Sequence, residues 1–220
     1  PMPVPVPAPV AVAVAVIVGW RFYNSANQAS MEQGSKAYAQ YKDAGDSERQ
    51  ALADKIKDEF AATSYHAMVS MGQASDASEA GDLEGALTLL RDAIDAAGST
   101  VLGDLARLRL AKVQFGLDSK EAALATLSAI SNDGYRSWAL ENQGDIYFAM
   151  GDVERAHGAY SGAAESLQKG DERPFLNIKV ENTAPFNGEY VEFTSELDKA
   201  LEAAETSLAR DSEAEIAENE

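Results

Sequence analysis

The chain has 220 residues, 18 Lys+Arg against 36 Asp+Glu, a formal charge of -18 and no cysteine. Its length and 45% hydrophobic content allow one domain with a real core, or one modest domain plus appendages, while the missing thiols exclude disulfides, thiolate metal sites, iron–sulfur clusters and cysteine nucleophiles. The acidity opposes phosphate polyanions and no basic patch offsets it, which argues against a nucleic-acid partner.

Residues 1–20 carry no charged side chain, and five of the seven prolines fall within the first nine residues. A Val/Ala alternation from Val10 to Val16 follows, then Ile17, Val18, Gly19 and Trp20. A run of about 20 uncharged apolar residues is long enough for a bilayer-crossing helix. Its proline-rich first part favours extended backbone, so the Val/Ala part can also be read as a strand or a low-complexity tract. The reading preferred is an N-terminal membrane anchor over residues 1–23, with Trp20, Phe22 and Tyr23 as an interfacial aromatic belt beside Arg21. Arg21 alone does not fix which side the rest occupies.

From about Asn27 to Leu167 the pattern is helix after helix, rich in Ala, Leu, Glu, Lys and Gln, with no proline between Pro9 and Pro174. Residues 24–63 read as connecting helices, with Ser47 and Gln50 as a capping box for the second of them. Residues 64–183 read as a repeat domain. Ala86, Ala123 and Ala156, each placed just after a turn, are 37 and 33 residues apart, bracketing the tetratricopeptide (TPR) period of about 34. Each is followed one helical turn later by a large side chain, Leu90, Leu127 or Tyr160, and then by Ala93, Ile130 or Ala163. The pairs Gln73-Ala74, Leu110-Ala111 and Gln143-Gly144 in the preceding helices place a small residue where two helices nest. This register predicts turns at Gly81-Asp82 and Gly151-Asp152. The expected fold is all-α, a TPR-like helical-hairpin solenoid with an N-terminal membrane anchor.

With Gly19-Trp20-Arg21-Phe22-Tyr23-Asn24-Ser25, Leu108 through Gln114, Ala122 through Leu127, and Gly144 through Ala156, the chain resembles the YfgM family of bacterial inner-membrane proteins. The resemblance covers roughly residues 17–183. It implies a single-pass inner-membrane protein with its bulk in the periplasm, acting as an ancillary subunit of the SecYEG translocon. The implied partners are a PpiD-type periplasmic chaperone and secretory protein clients. Residues 184–220 extend beyond that family's usual end. From Pro185 this stretch holds 11 acidic residues against Lys199 and Arg210, a net charge of -9. Apolar spacing through Phe193, Leu197, Leu201 and Ala204 predicts a last helix that caps the solenoid before a solvated acidic tail.

No catalytic or metal motif emerges. His66 and His157 are the only histidines, each in a predicted helix without a paired ligand at local spacing. There is no phosphate loop, nucleophile elbow or HExxH helix, so the reading is non-enzymatic and free of cofactors. What remains is binding. A TPR stack presents the first helix of each hairpin to a partner, which selects Met68, Met71, Leu105, Leu108, Lys112, Phe115, Trp138, Glu141, Asp145 and Phe148. The contact residues favoured are Leu108, Lys112, Phe115, Trp138, Glu141 and Phe148, in an apolar or mixed groove, with Leu105, Leu108 and Phe115 equally readable as core. The alternative is a cytoplasmic-facing or soluble TPR adaptor that binds a partner helix or peptide.

Overall fold

Long stretches of good helix formers broken by Gly, Asp and Asn fold into helical hairpins, because such breaks supply a chain reversal and, at several of them, a side chain that caps the next helix. The computed structural model describes residues 8–61, 63–167, 170–171 and 173–185. These contain nine helices: α1 (Ala8–Asp43), α2 (Asp46–Glu59), α3 (Ser64–Glu79), α4 (Leu83–Ala97), α5 (Val101–Gly116), α6 (Lys120–Ser128), α7 (Asp133–Ala149), α8 (Val153–Glu165) and α9 (Pro174–Thr183). Pro1–Ala184 forms one unit and Pro185–Glu220 another. Only Pro185 of the second lies within the described residues, so the last helix and acidic tail expected there lie outside them.

The turns form where the register puts them. Gly81 and Gly151 adopt φ of +81° and +79°, a left-handed conformation that glycine enters without a Cβ penalty. Asp82 and Asp152 then cap α4 and α8 by accepting from the backbone N–H groups of Gly85 at 2.9 Å and Arg155 at 3.0 Å. The middle repeat has Asp118 at the left-handed position, with φ of +57°, and Ser119 makes no side-chain cap. At α2 the expected capping box is not made: Gly45 is the N-cap, and Gln50 donates to Asp54 instead of reaching back. Ser47 falls inside the first turn, where its hydroxyl is no longer placed to close that box.

Ala86, Ala123 and Ala156 are fully buried at 0% exposure, each at a helix crossing. One core joins α3, α4 and α5 through Ala67, Met71, Leu90, Ala106 and Leu110, and the next joins α5, α6 and α7 through Leu108, Ala111, Leu127, Ala139 and Ile146. The last joins α8 and α9 through Ala156, Tyr160, Ala163 and Leu176, with Leu140 and Tyr147 of α7 against it. Gly144 is required by this packing, since a Cβ there would come within 2.4 Å of the Tyr160 ring. The stretch expected to connect is a further hairpin: the C-terminal half of α1 packs on α2 and α3 around Ala37, Tyr41, Ile56, Phe60 and Val69.

The first half of α1 is different. Val12, Val14, Val16, Ile17, Val18, Trp20, Phe22 and Tyr23 are all exposed, at 54–76%. The helix runs without a break from this apolar part into the first hairpin, as the lack of proline there permits. Among the described residues no helix is long and apolar enough to cross a membrane. The physical reason is length: Ala8–Trp20 provides about 20 Å of helix before Arg21, against a hydrocarbon core of about 30 Å.

Candidate partner-binding groove

Consecutive first helices of the hairpins neighbour one another, α3 against α5 and α5 against α7, so any groove between hairpins is built by them. The cleft between α3 and α5 has a volume of about 440 Å³. Its floor is apolar, from Met71 and Ala74 of α3, Leu83 and Leu90 of α4 and Val113 of α5. Ser75 and Ser78 border it on the α3 side, and Arg109 and Lys112 border it on the α5 side. Leu90 and Ala74 are buried by the hairpin itself, whereas Ser75, Arg109 and Lys112 are exposed. No carboxylate lines the cleft, and neither cation has an ion-pair partner among the described residues.

The residues read from the sequence as contacts separate into three groups. Lys112 and Met71 come together in this cleft. Leu108 is buried in the core between α5 and α7, with Phe115 packed beside it, so these two side chains hold hairpins together. Leu105 likewise packs against the α3–α5 core, and Met68 is half-buried on α3. Trp138, Glu141 and Asp145, on α7, are met by Arg173, just before α9, and by Lys179 of α9. The Arg173 guanidinium lies 3.8 Å from the Trp138 ring centroid and ion-pairs with Glu141. Lys179 bonds Glu141 at 2.9 Å and Asp145 at 2.6 Å, and the Tyr160 hydroxyl donates to Asp145 at 2.8 Å. Burial and the Asp145 carboxylate push the Tyr160 phenol well above its ordinary pKa, while burial lowers that of Arg173. Trp138 keeps 47% of its surface and Phe148 keeps 54%. Phe148 is far along α7 from Trp138 and is not drawn into the same site.

Arg109 was not among the expected contacts. The signal that identifies it is positional: it precedes Lys112 by three residues, so both cations lie on one side of α5. The histidines are structural in setting. His66 Nε2 lies 3.1 Å from both oxygens of Asp92, a partner on α4 that local spacing cannot reveal. The buried Ser70 hydroxyl donates to the same carboxylate at 2.6 Å, so Ser70 and His66 share an acceptor instead of forming a nucleophile–base pair. Lys57 reaches Asp92 at 3.3 Å, and the cluster ties α2, α3 and α4 together. His157 Nδ1 faces the Val180 carbonyl of α9 at 3.2 Å. Among the described residues no group of His, Asp and Glu is placed to hold a metal.

Comparison with known proteins agrees with this architecture. The chain is 27% identical over 171 residues to the ancillary SecYEG translocon subunit of Escherichia coli (strain K12), covering 76% of this chain and 82% of that protein. The protein of the same description from Aggregatibacter actinomycetemcomitans is 28% identical over 170 residues, with the same coverage. That of Haemophilus influenzae is 27% identical over 153 residues, covering 68% of this chain and 75% of its own length. These relatives bear out the YfgM resemblance seen in the sequence. A family model described as a tetratricopeptide repeat-like domain matches residues 5–184, spanning every helix described above, and the chain therefore belongs to that family.

Proposed function

We propose that the chain is a non-enzymatic, membrane-anchored subunit of a SecYEG translocon assembly. Its repeat domain lies in the periplasm and works beside a PpiD-type chaperone on newly translocated proteins. The observation that carries this reading is the unpartnered apolar half of α1, from Val12 to Tyr23, in a chain whose relatives are ancillary SecYEG translocon subunits. An apolar helical surface of that extent is costly in water and is covered by lipid or by another apolar helix. Arg21 and the ring of Trp20, Phe22 and Tyr23 mark where it would leave the hydrocarbon. Residues 1–7, outside the described part, continue the uncharged run.

The repeat domain would present the α3–α5 cleft to a partner's helix or peptide, with Lys112 at its rim, while Trp138 and Phe148 offer further exposed aromatic surface. The core position of Leu108 and Phe115 and the pairing of Glu141 give those three a supporting role, holding α5 and α7 in place beneath the contact surface. The test is capture of SecYEG from detergent-solubilised membranes by the tagged full chain, compared with a chain lacking residues 1–20. The full chain should retain the translocon and the truncated one should lose it. Equal capture by both would move the contact to the repeat domain and remove the anchor from the reading.

A further inference from the structure

We propose that the α3–α5 cleft binds an internal acidic amphipathic helix of a partner protein. That helix would seat a large apolar side chain on the floor near Ala74 and Val113 and set two carboxylates, one turn apart, against Arg109 and Lys112. The inference rests on reading the cleft as a contact site and is independent of which assembly the chain joins.

Charge complementarity selects this occupant. The protein as a whole carries a charge of -18, yet this apolar-floored cleft is bordered by two exposed cations and no carboxylate. Two other clefts among the described residues are already satisfied. The one between α2 and α3 holds Asp76 beside its bases, and its Lys57 pairs with Asp92. The one at the start of α7 is polar, and its Arg173 pairs with Glu141. Of these three clefts, the α3–α5 one is where an apolar floor meets cations without an ion-pair partner among the described residues. Its volume of about 440 Å³ lies within the usual range for a ligand site and suits side chains rather than a whole helix, so the ligand helix must lie across the mouth and insert anchors. Arg109 and Lys112 stand one turn apart along α5, a spacing matched by carboxylates at i and i+3 or i+4 of a helix lying alongside it. A single chain-terminal carboxylate would engage one of the two and leave the floor empty.

The probe is a fluorescein-labelled, hydrocarbon-stapled helical peptide, acetylated and amidated so that it has no terminal charge. It carries two leucines four residues apart and two glutamates four residues apart on the adjoining face. Anisotropy is read while the full chain in neutral-lipid nanodiscs is titrated, with empty nanodiscs as the blank. The parent should bind this peptide and reject its counterpart with lysines for glutamates. Reversing both cations, Arg109→Glu with Lys112→Glu, should weaken the glutamate peptide by about 10-fold or more and admit the lysine peptide. Ser75→Trp, which fills the mouth from an exposed position, should remove binding of either peptide while the helical melt stays that of the parent. The proposal is overturned if the parent binds both peptides alike or neither, or if the charge reversal leaves the glutamate peptide's affinity within about 2-fold. The titration contains no translocon component, so its failure would remove the acidic-helix ligand and leave the translocon reading to its own capture experiment.

Discussion

Four single positions decide whether the hairpins close. Ala86, Ala123 and Ala156 have no room for a longer side chain, and Gly144 has none for any, because the Tyr160 ring occupies the space. Replacing any of the three alanines by Leu should cost on the order of 1–3 kcal/mol, read as a lower midpoint in urea with an unchanged slope. Gly144→Ala should do the same, whereas Gly158→Ala, with open space around it, should not. The turn before α6 offers the opposite sign. Asp118 holds the left-handed conformation that Gly81 and Gly151 adopt in the neighbouring repeats. Asp118→Gly should therefore stabilise by up to about 1 kcal/mol, with only the exposed pairing to Lys120 lost.

The elements are held to one another by buried polar contacts as well as by apolar cores. Burial tends to raise the pKa of Asp92, but the hydrogen bonds from Ser70 and His66 and the charges of His66 and Lys57 outweigh it and hold the carboxyl below its usual range. A depressed carboxyl contributes stability that is present above its unfolded pKa and is lost as pH falls through its folded one. The stability gap between the parent and Asp92→Asn should therefore be full at neutral pH and shrink below about pH 4. A gap that widens on acidification would contradict this account of the cluster. At the other end, Glu141 holds both Arg173 and Lys179 of the α9 region. Glu141→Gln leaves two cations without that carboxylate, and should loosen α9 by about 2 kcal/mol or more. Faster amide exchange confined to Leu176–Thr183 is the expected readout. Asp104 is a third tie: it is buried at the start of α5 and accepts from the backbone N–H groups of Ser131 and Asn132 between α6 and α7.

At the scale of the molecule, the repeat register was legible because it depends on small residues at crossings and on turn chemistry, both of which are written locally. Ala86, Ala123, Ala156 and the Gly-Asp turns are the examples. The hairpin of α1 and α2 was not legible, because it is packed by Tyr41, Phe60 and Tyr65 rather than by the repeat's alanines. The site was only partly legible. Helical periodicity places Trp138 and Glu141 on the inner side of α7, but it contains no information about Arg173, at the start of α9, reaching both. It also places Lys112 without revealing that Arg109 completes a pair above an apolar floor. From Val12 to Gln33 α1 contributes nothing buried, so removing residues 1–20 should leave the thermal melt of the repeat domain unchanged and yield a soluble monomer. A truncated chain that aggregates would show that the segment belongs to the core.

The central claim is that α1 anchors the chain and that the repeat domain stands in the periplasm. Protease accessibility in intact spheroplasts of a bacterial host tests it most directly, with the chain tagged at its C-terminus and a cytoplasmic protein as the integrity control. The account predicts that added protease removes the tag and the repeat domain while the control survives. Protection of the repeat domain until the membrane is lysed would contradict it and place the domain in the cytoplasm.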